Sequence, residues 1–151
     1  MFAFSYPATF RKGRDNGRVF VTFSDFPRSA TDGADMAEAT EQAADCLGSA
    51  IAFALVYREE IPRPSTPGRG QRMVPVPLWI APKLALHWRM RDLGINNSDL
   101  ARKLGVTEAV VRRMLDPDHA TKTAKLETAL QALGQKVVML ALSAVNRRRL
   151  S

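Results

Sequence analysis

Residues 96 to 116 read Asn-Asn-Ser-Asp-Leu-Ala-Arg-Lys-Leu-Gly-Val-Thr-Glu-Ala-Val-Val-Arg-Arg-Met-Leu-Asp. Two short helices separated by a tight turn fit this stretch. Ala101 is small where the helices would cross, and Gly105 permits the turn. Val106, Val111 and Met114 supply the apolar face that buries the second helix against the first, and Thr107 is placed to cap it. Glu108, Ala109, Arg112 and Arg113 then point outward, while Asn97 and Ser98 open the first helix.

Outward arginines on such a helix can bridge phosphates or make bidentate contacts with guanine in a major groove. Arg113 is the leading candidate for reading a base. Asn97 and Ser98 suit phosphate contacts through amide and hydroxyl groups. The stretch resembles a helix-turn-helix of the Cro/phage-repressor type, and the resemblance extends back through Leu93-Gly94-Ile95. It implies double-stranded operator DNA as a partner. It also implies a homodimer or higher homo-oligomer, because two such units entering successive grooves bind more tightly than one.

Charge is divided unevenly along the chain. The total is +7, yet residues 1–60 hold 6 Lys/Arg against 9 Asp/Glu, a net −3, and residues 61–151 hold 16 against 6, a net +10. The asymmetry points to two modules with different partners. A basic module attracts phosphate, although a merely solvated basic surface carries the same charge, so the motif has to decide.

Upstream, Phe2, Phe4, Tyr6, Ala8 and Phe10 alternate with smaller or more polar neighbours, the period of a strand with one buried face; Pro7 argues for an edge position. Asn16-Gly17 makes a hairpin turn into a second strand over residues 18–23, where Val19, Val21 and Phe23 share a face. After Asp25-Phe26-Pro27, a short third strand covers residues 29–31 before Asp32-Gly33 breaks it. Asp35 and Glu38 have capping-box spacing for a long helix that starts at Met36. Along that helix Ala39, Ala43, Leu47, Ala50, Ile51, Ala54 and Leu55 form a stripe of small residues that can lie close on a sheet. Residues 58–72 are a loop punctuated by Pro62, Pro64 and Pro67, and residues 73–78 return as a proline-tolerant edge strand.

The order is therefore β-β-β-α-β, an α+β domain over residues 1–78, followed by an all-α domain over residues 79–151. In the second domain Pro82 opens a helix lined by Leu84, Leu86, Trp88 and Leu93 and ended by Gly94. Leu126, Ala129, Leu130 and Leu133 line another, ended by Gly134. Residues 135–144 are apolar on more than one face, so strand and helix are not separable there. A second copy of the chain is expected to cover this tail.

Composition narrows the classes further. At 151 residues the chain suits one domain or two small ones. One cysteine, Cys46, makes no internal disulfide, and with only His87 and His119 beside it no structural zinc site is completed, so neither metal nor cofactor is expected. The longest apolar run, residues 43–57, is interrupted by Asp45 and is shorter than the about 20 residues of a membrane span. Residues 1–10 show no secretory pattern, and the expected location is cytoplasmic.

With both modules in view, the chain resembles the HicB antitoxins of bacterial type II toxin-antitoxin systems. The residues that carry the resemblance are Ser24-Asp25-Phe26-Pro27, Thr31-Asp32-Gly33, Glu38-Ala39 and Gln42-Ala43, with the repressor-like module after them. Arg28 stands where a glycine is common in that family and Ser24 where a proline is common, which bears on the local turn. The resemblance implies a partial RNase H-like domain that binds a small HicA-type mRNA-cleaving toxin and blocks its active site, while the second module represses the shared operon. An acidic domain facing a basic RNA-binding toxin fits the charge division. Asp25, Phe26 and the sheet edge are the candidate toxin contacts.

Two other readings compete. A stand-alone repressor with a ligand-sensing N-terminal domain would need an enclosed pocket, which small alanines packed on a sheet do not leave. A nuclease would need Asp15, Asp25, Asp32 and Asp35 to converge on metal ions; three of them fall in turns and Asp35 is accounted for as a helix cap. No catalytic residue is expected.

Overall fold

A computed structural model of the chain describes residues 4–142. Its elements run β1 (Ser5–Lys12), β2 (Val19–Phe23), β3 (Ala30–Gly33), α1 (Met36–Tyr57), β4 (Arg72–Pro75), α2 (Ala81–Leu93), α3 (Asn97–Leu104), α4 (Glu108–Leu115) and α5 (Thr123–Ala132). The strands form one antiparallel sheet in the order β3-β2-β1-β4, and the fold is α+β.

Alternation along β1 and β2 buries Tyr6, Ala8, Val19, Val21 and Phe23 on one face of the sheet, against Ala39, Ala43, Leu47, Ile51 and Ala54 of α1. The Asp35 carboxylate accepts the Glu38 N–H (2.9 Å), so Asp35 caps α1 as its spacing predicts, while the Glu38 carboxylate accepts the N–H of Ala34 (2.6 Å), one residue before the amide a capping box would use. The approach of α1 to the sheet is close because Gly33 has no side chain: a Cβ there would stand 2.3 Å from the Ala39 nitrogen. The hairpin turns on Gly17, at φ 69°.

Two expectations about the strands need correction. Pro7 does not put β1 at an edge, for β1 pairs with both β2 and β4. The Val76 N–H donates to the Phe4 carbonyl (2.8 Å), so the even-numbered residues of β1 bond toward β4 and the odd-numbered ones toward β2. The β2 ladder starts only at Ala8 opposite Phe23, and the missing N–H of Pro7 faces no ladder partner. Asp32-Gly33 does not break β3 either. Gly33 pairs with Val19, and the Asp32 carboxylate accepts the Arg18 guanidinium across the strands at 2.6 Å. Phe2, included in the first strand by its alternation, lies outside the described residues.

The proline-rich loop returns as β4 on the edge of β1, but the strand stops at Pro75 instead of running to residue 78: Val76 still bonds Phe4, Pro77 has no N–H to continue the ladder, and residues 78–80 turn into α2. It is pinned on the way. The Tyr6 hydroxyl donates to the Pro62 carbonyl at 2.7 Å, and the Arg63 guanidinium lies 4.2 Å from the Trp88 ring centroid and bridges to Asp92 at 2.8 Å.

Helix α2 serves two apolar cores at once. Ile80, Leu84 and Trp88 belong with the sheet and α1, whereas Leu86 and Met90 belong with α3, α4 and α5. Leu93, expected on the apolar face, is 43% exposed because α2 has already reached its glycine terminus at Gly94. In α5, Leu126, Ala129 and Leu130 are buried together with Leu133. Residues 135–142 form neither strand nor helix and leave Val138, Met139, Leu140 and Leu142 largely exposed; Ser143 and Ala144 of the apolar tail lie outside the described residues. Among the described residues no helix is long and apolar enough to cross a membrane.

Candidate nucleic-acid interface

Residues 96–116 fold into α3, a tight turn and α4. Asn96 caps α3 reciprocally: its side chain accepts the Asp99 N–H at 2.8 Å while the Asp99 carboxylate accepts the Asn96 N–H at 2.9 Å. Asn97 and Ser98 follow at the first two helical positions, where backbone N–H groups have no intrahelical acceptor. Gly105 takes φ 66°, and the Val106 N–H reaches back to the Ala101 carbonyl at 3.0 Å, closing a Schellman turn. Leu100, Ala101, Val111 and Met114 are buried between the helices.

Val106, expected in that core, is 38% exposed. It sits in the turn itself, and Leu104, Val110 and Leu115 pack at the margin of the core in its place. Thr107 occupies the N-cap position of α4, but only its carbonyl is used, by the Val110 N–H at 3.1 Å; its side chain makes no cap bond.

Outward from α4, Ala109 is half-buried and Arg112 and Arg113 are exposed. Arg112 is paired with Glu108 one turn earlier and holds that carboxyl below the usual carboxylate range, with a smaller effect in the same direction from the Asn97 side chain. What Asn97 offers an anion is therefore its backbone N–H. Arg113 is different: its guanidinium makes no ion pair among the described residues.

The position of α4 depends on a buried lysine that no motif in the chain marks. Lys83 of α2 is 3% exposed, and its ammonium donates to the Asp116 and His119 carbonyls at 2.5 and 2.7 Å. The Arg113 carbonyl stands at 3.4 Å from the same nitrogen. A cation thus satisfies the carbonyls at and beyond the C-terminal end of α4, where the helix dipole favours it. Burial pulls the Lys83 pKa down, opposed by the charge of Asp116. Arg89, two turns along α2, does the same for α5, donating to the Leu133 carbonyl at 2.8 Å. The one local signal at Lys83 is a cation in the first turn of its own helix, where the dipole disfavours it.

A cleft of about 750 Å³ separates this unit from the end of α1. Leu55, Val56 and Arg58 line one side; Asn97, Ser98, Glu108 and Arg112 line another; His87 and Arg91 come from α2. Arg58 has φ 54°, a left-handed conformation that costs a residue with a Cβ about 1 to 2 kcal/mol. The His87 Nε2 is enclosed and has no hydrogen-bond partner among the described residues. Burial, and then the charges of Arg91 and Arg63, hold its pKa below the ordinary imidazole value. His119 is exposed in the 116–121 turn, its Nδ1 3.2 Å from the Thr121 hydroxyl.

The second candidate region lies beside β3, the outermost strand of the sheet. A groove of about 620 Å³ is bordered by Asp25, Phe26, Phe53, Glu59 and Glu60. Asp25 already works for the fold, since its carboxylate accepts both the backbone N–H and the hydroxyl of Ser65 at 3.0 and 3.1 Å. Phe26 is half-buried and meets the Tyr6 ring edge-on at 5.0 Å between centroids. Periodicity alone did not mark the solvent face of α1, where Phe53, Val56 and Tyr57 are exposed. Asp32 and Asp35 are engaged as described, and among the described residues no three His, Cys, Asp or Glu groups gather to hold a metal ion.

Two measurements check this account. Lys83→Met should lower stability by about 1.5 to 3 kcal/mol, the usual worth of hydrogen bonds to a charged group, read as a shift of the denaturant midpoint; an unchanged midpoint would mean that the end of α4 holds without it. For His87 the folded pKa lies below the unfolded one. Its contribution is therefore complete above the unfolded value of about 6.5 and is lost as pH falls below it. His87→Gln should flatten the decline of melting temperature between about pH 7 and pH 5, and an unaltered decline would place the acid sensitivity elsewhere.

A family model described as a HicB-like antitoxin of bacterial toxin-antitoxin systems matches residues 5–85. Antitoxin HicB 2 of Photorhabdus laumondii is 36% identical over 137 residues, covering 91% of this chain and 96% of that protein. Antitoxin HicB of Escherichia coli strain K12 is 33% identical over 132 residues, covering 87% and 95% respectively. Antitoxin HicB of Pseudomonas fluorescens is 28% identical over 127 residues, covering 82% and 85%. The chain belongs to the HicB-like family of antitoxins of bacterial toxin-antitoxin systems.

Proposed function

We propose that this antitoxin neutralises a small HicA-type mRNA-cleaving toxin through residues 1–78 and represses its own operon through residues 79–151. The first part is read as a partial RNase H-like domain. In the second, α3 and α4 are read as a helix-turn-helix, with α4 entering the major groove of double-stranded operator DNA. The observation that carries the DNA reading is Arg113, an exposed guanidinium without an ion pair among the described residues, on a helix whose far end is anchored by a buried lysine. Arg113 reads a base edge, Arg112 and Ser98 support it, and the backbone N–H of Asn97 meets phosphate. Thr107, Glu108 and Ala109 border the groove-facing surface.

Support for the toxin reading comes from family membership and from the chemistry of the second groove. Asp25, Glu59 and Glu60 rim it, with Arg28 committed to Glu59 at 3.0 Å, and Phe26 and Phe53 give it apolar contact area. A basic RNA-binding partner complements that surface. The apolar residues from Val137 to Leu142 supply the homo-oligomer contact, and the protein acts in the cytoplasm, not as an enzyme.

The test is expression with the neighbouring reading frame. A small basic protein should co-purify, with its RNase activity suppressed in the complex; no such protein would return the N-terminal domain to the ligand-sensing reading. Arg113→Ala should cost about 1 to 3 kcal/mol of operator affinity in gel shifts while growth rescue from the toxin stays intact. Equal loss in both assays would show that the two jobs are not carried by separate modules.

A further inference from the structure

We infer that Arg58, at the end of the sheet domain's long helix, belongs to the DNA grip: with Arg91 and the free amides at the start of α3 it forms a seat for a backbone phosphate of the duplex. This rests on the reading of α3 and α4 as a DNA-binding unit and extends the interface to a residue outside that unit.

The backbone at Arg58 is the first observation. Helices that end in a left-handed residue usually place glycine there, because a Cβ is strained in that conformation. Among the described residues Arg58 is the only residue other than glycine with positive φ, and its N–H closes α1 on the Ala54 carbonyl. A long cationic side chain is kept where the backbone would be easier without one.

What that side chain faces is the second. Arg58 lines the same cleft as Asn97, Ser98 and Arg91, and its charge acts on Glu108 at the start of α4. Asn96 and Asp99 are satisfied by their capping box, which leaves the N–H groups of Asn97 and Ser98 for an outside acceptor.

The third is the balance of charge. Glu108 is committed to Arg112 and Asn97. Asp116 and Asp118 also border the cleft, but Asp116 accepts the Asp118 N–H at 2.9 Å and stands beside the Lys83 ammonium. Arg58 and Arg91 form no salt bridge among the described residues. Charge in the cleft is balanced in number, Arg58, Arg91 and Arg112 against Glu108, Asp116 and Asp118, but the two guanidinium groups without a salt bridge share it with open helix amides, and that donor set matches a phosphate. A duplex with α4 in its major groove carries its flanking backbone past the start of α3, so the occupant is a phosphate of that strand, bound without regard to sequence.

The experiment uses the full chain and two duplexes of equal length, the promoter fragment upstream of its own gene and a scrambled version, titrated by fluorescence anisotropy over a salt series. Arg58→Gly should melt no lower than the parent, since it relieves the left-handed strain. It should bind both duplexes several-fold more weakly, with the slope of log affinity against log salt reduced by about 1. Arg58→Lys should recover most of the loss.

Parent protein that binds while Arg58→Gly keeps its affinity and slope overturns the inference and leaves the DNA reading standing. Parent protein that binds neither duplex overturns the DNA reading, and the inference with it. A loss confined to the promoter would make Arg58 a base contact instead of a phosphate seat. A loss of toxin binding alone would assign it to the protein partner. Either result rejects the proposal.

Discussion

The ammonium of Lys83, buried beneath the end of α4, is the contact on which the helical half of this antitoxin turns. It gathers the carbonyls of Asp116 and His119 onto α2, and Arg89 gathers Leu133 in the same way at the end of α5. Each such hydrogen bond to a charged donor is worth about 1.5 to 3 kcal/mol, whereas a helical unit of this size nets only about 3 to 8 kcal/mol in total. Apolar packing brings α2, α3, α4 and α5 together, and these two cations decide where α4 and α5 end and how they sit on α2. Removing one leaves carbonyls partly enclosed and unpaired, which costs more than the contact itself.

Because α2 also carries Ile80, Leu84 and Trp88 into the core beneath the sheet, the two halves share a structural member instead of hanging on a linker. The loop before β4 strengthens the junction. Its Arg63 lies over the Trp88 ring and bridges to Asp92, while its Ser65 is held by Asp25 at the rim of the acidic groove. The region proposed for the toxin and the unit proposed for DNA are thus connected through a few packed side chains on one helix. Asp25 shows how fold and function overlap there: the same carboxylate that would face a basic partner pins the loop shaping the groove.

Much of this was legible in the residues because it is local. The Asp35 cap, the small-residue stripe of α1, the alternation in β1 and β2 and the glycine turn at Gly105 each rest on spacings of a few residues, which one short stretch contains in full. The outward direction of Arg112 and Arg113 follows from the same periodicity. The readings that changed depend on partners distant in sequence. Pro7 tolerates an interior strand because β2 stops one residue short of it, and Asp32 stays in β3 because Arg18 receives it across the ladder. Val106 reads as core by hydrophobicity, but the Schellman turn carries it to the surface.

Legible in the residues alone were most of the elements, most of their apolar faces and a pair of short helices about a glycine turn in the basic half, since helix periodicity, capping and charge are properties of neighbouring residues. Long-range packing set the rest: Lys83 as an internal cap, Arg58 in one cleft with the start of α3, and one helix serving two cores. These follow from contacts between groups about thirty to forty residues apart, or farther, and no local pattern encodes which distant carbonyl or carboxylate a buried cation will meet.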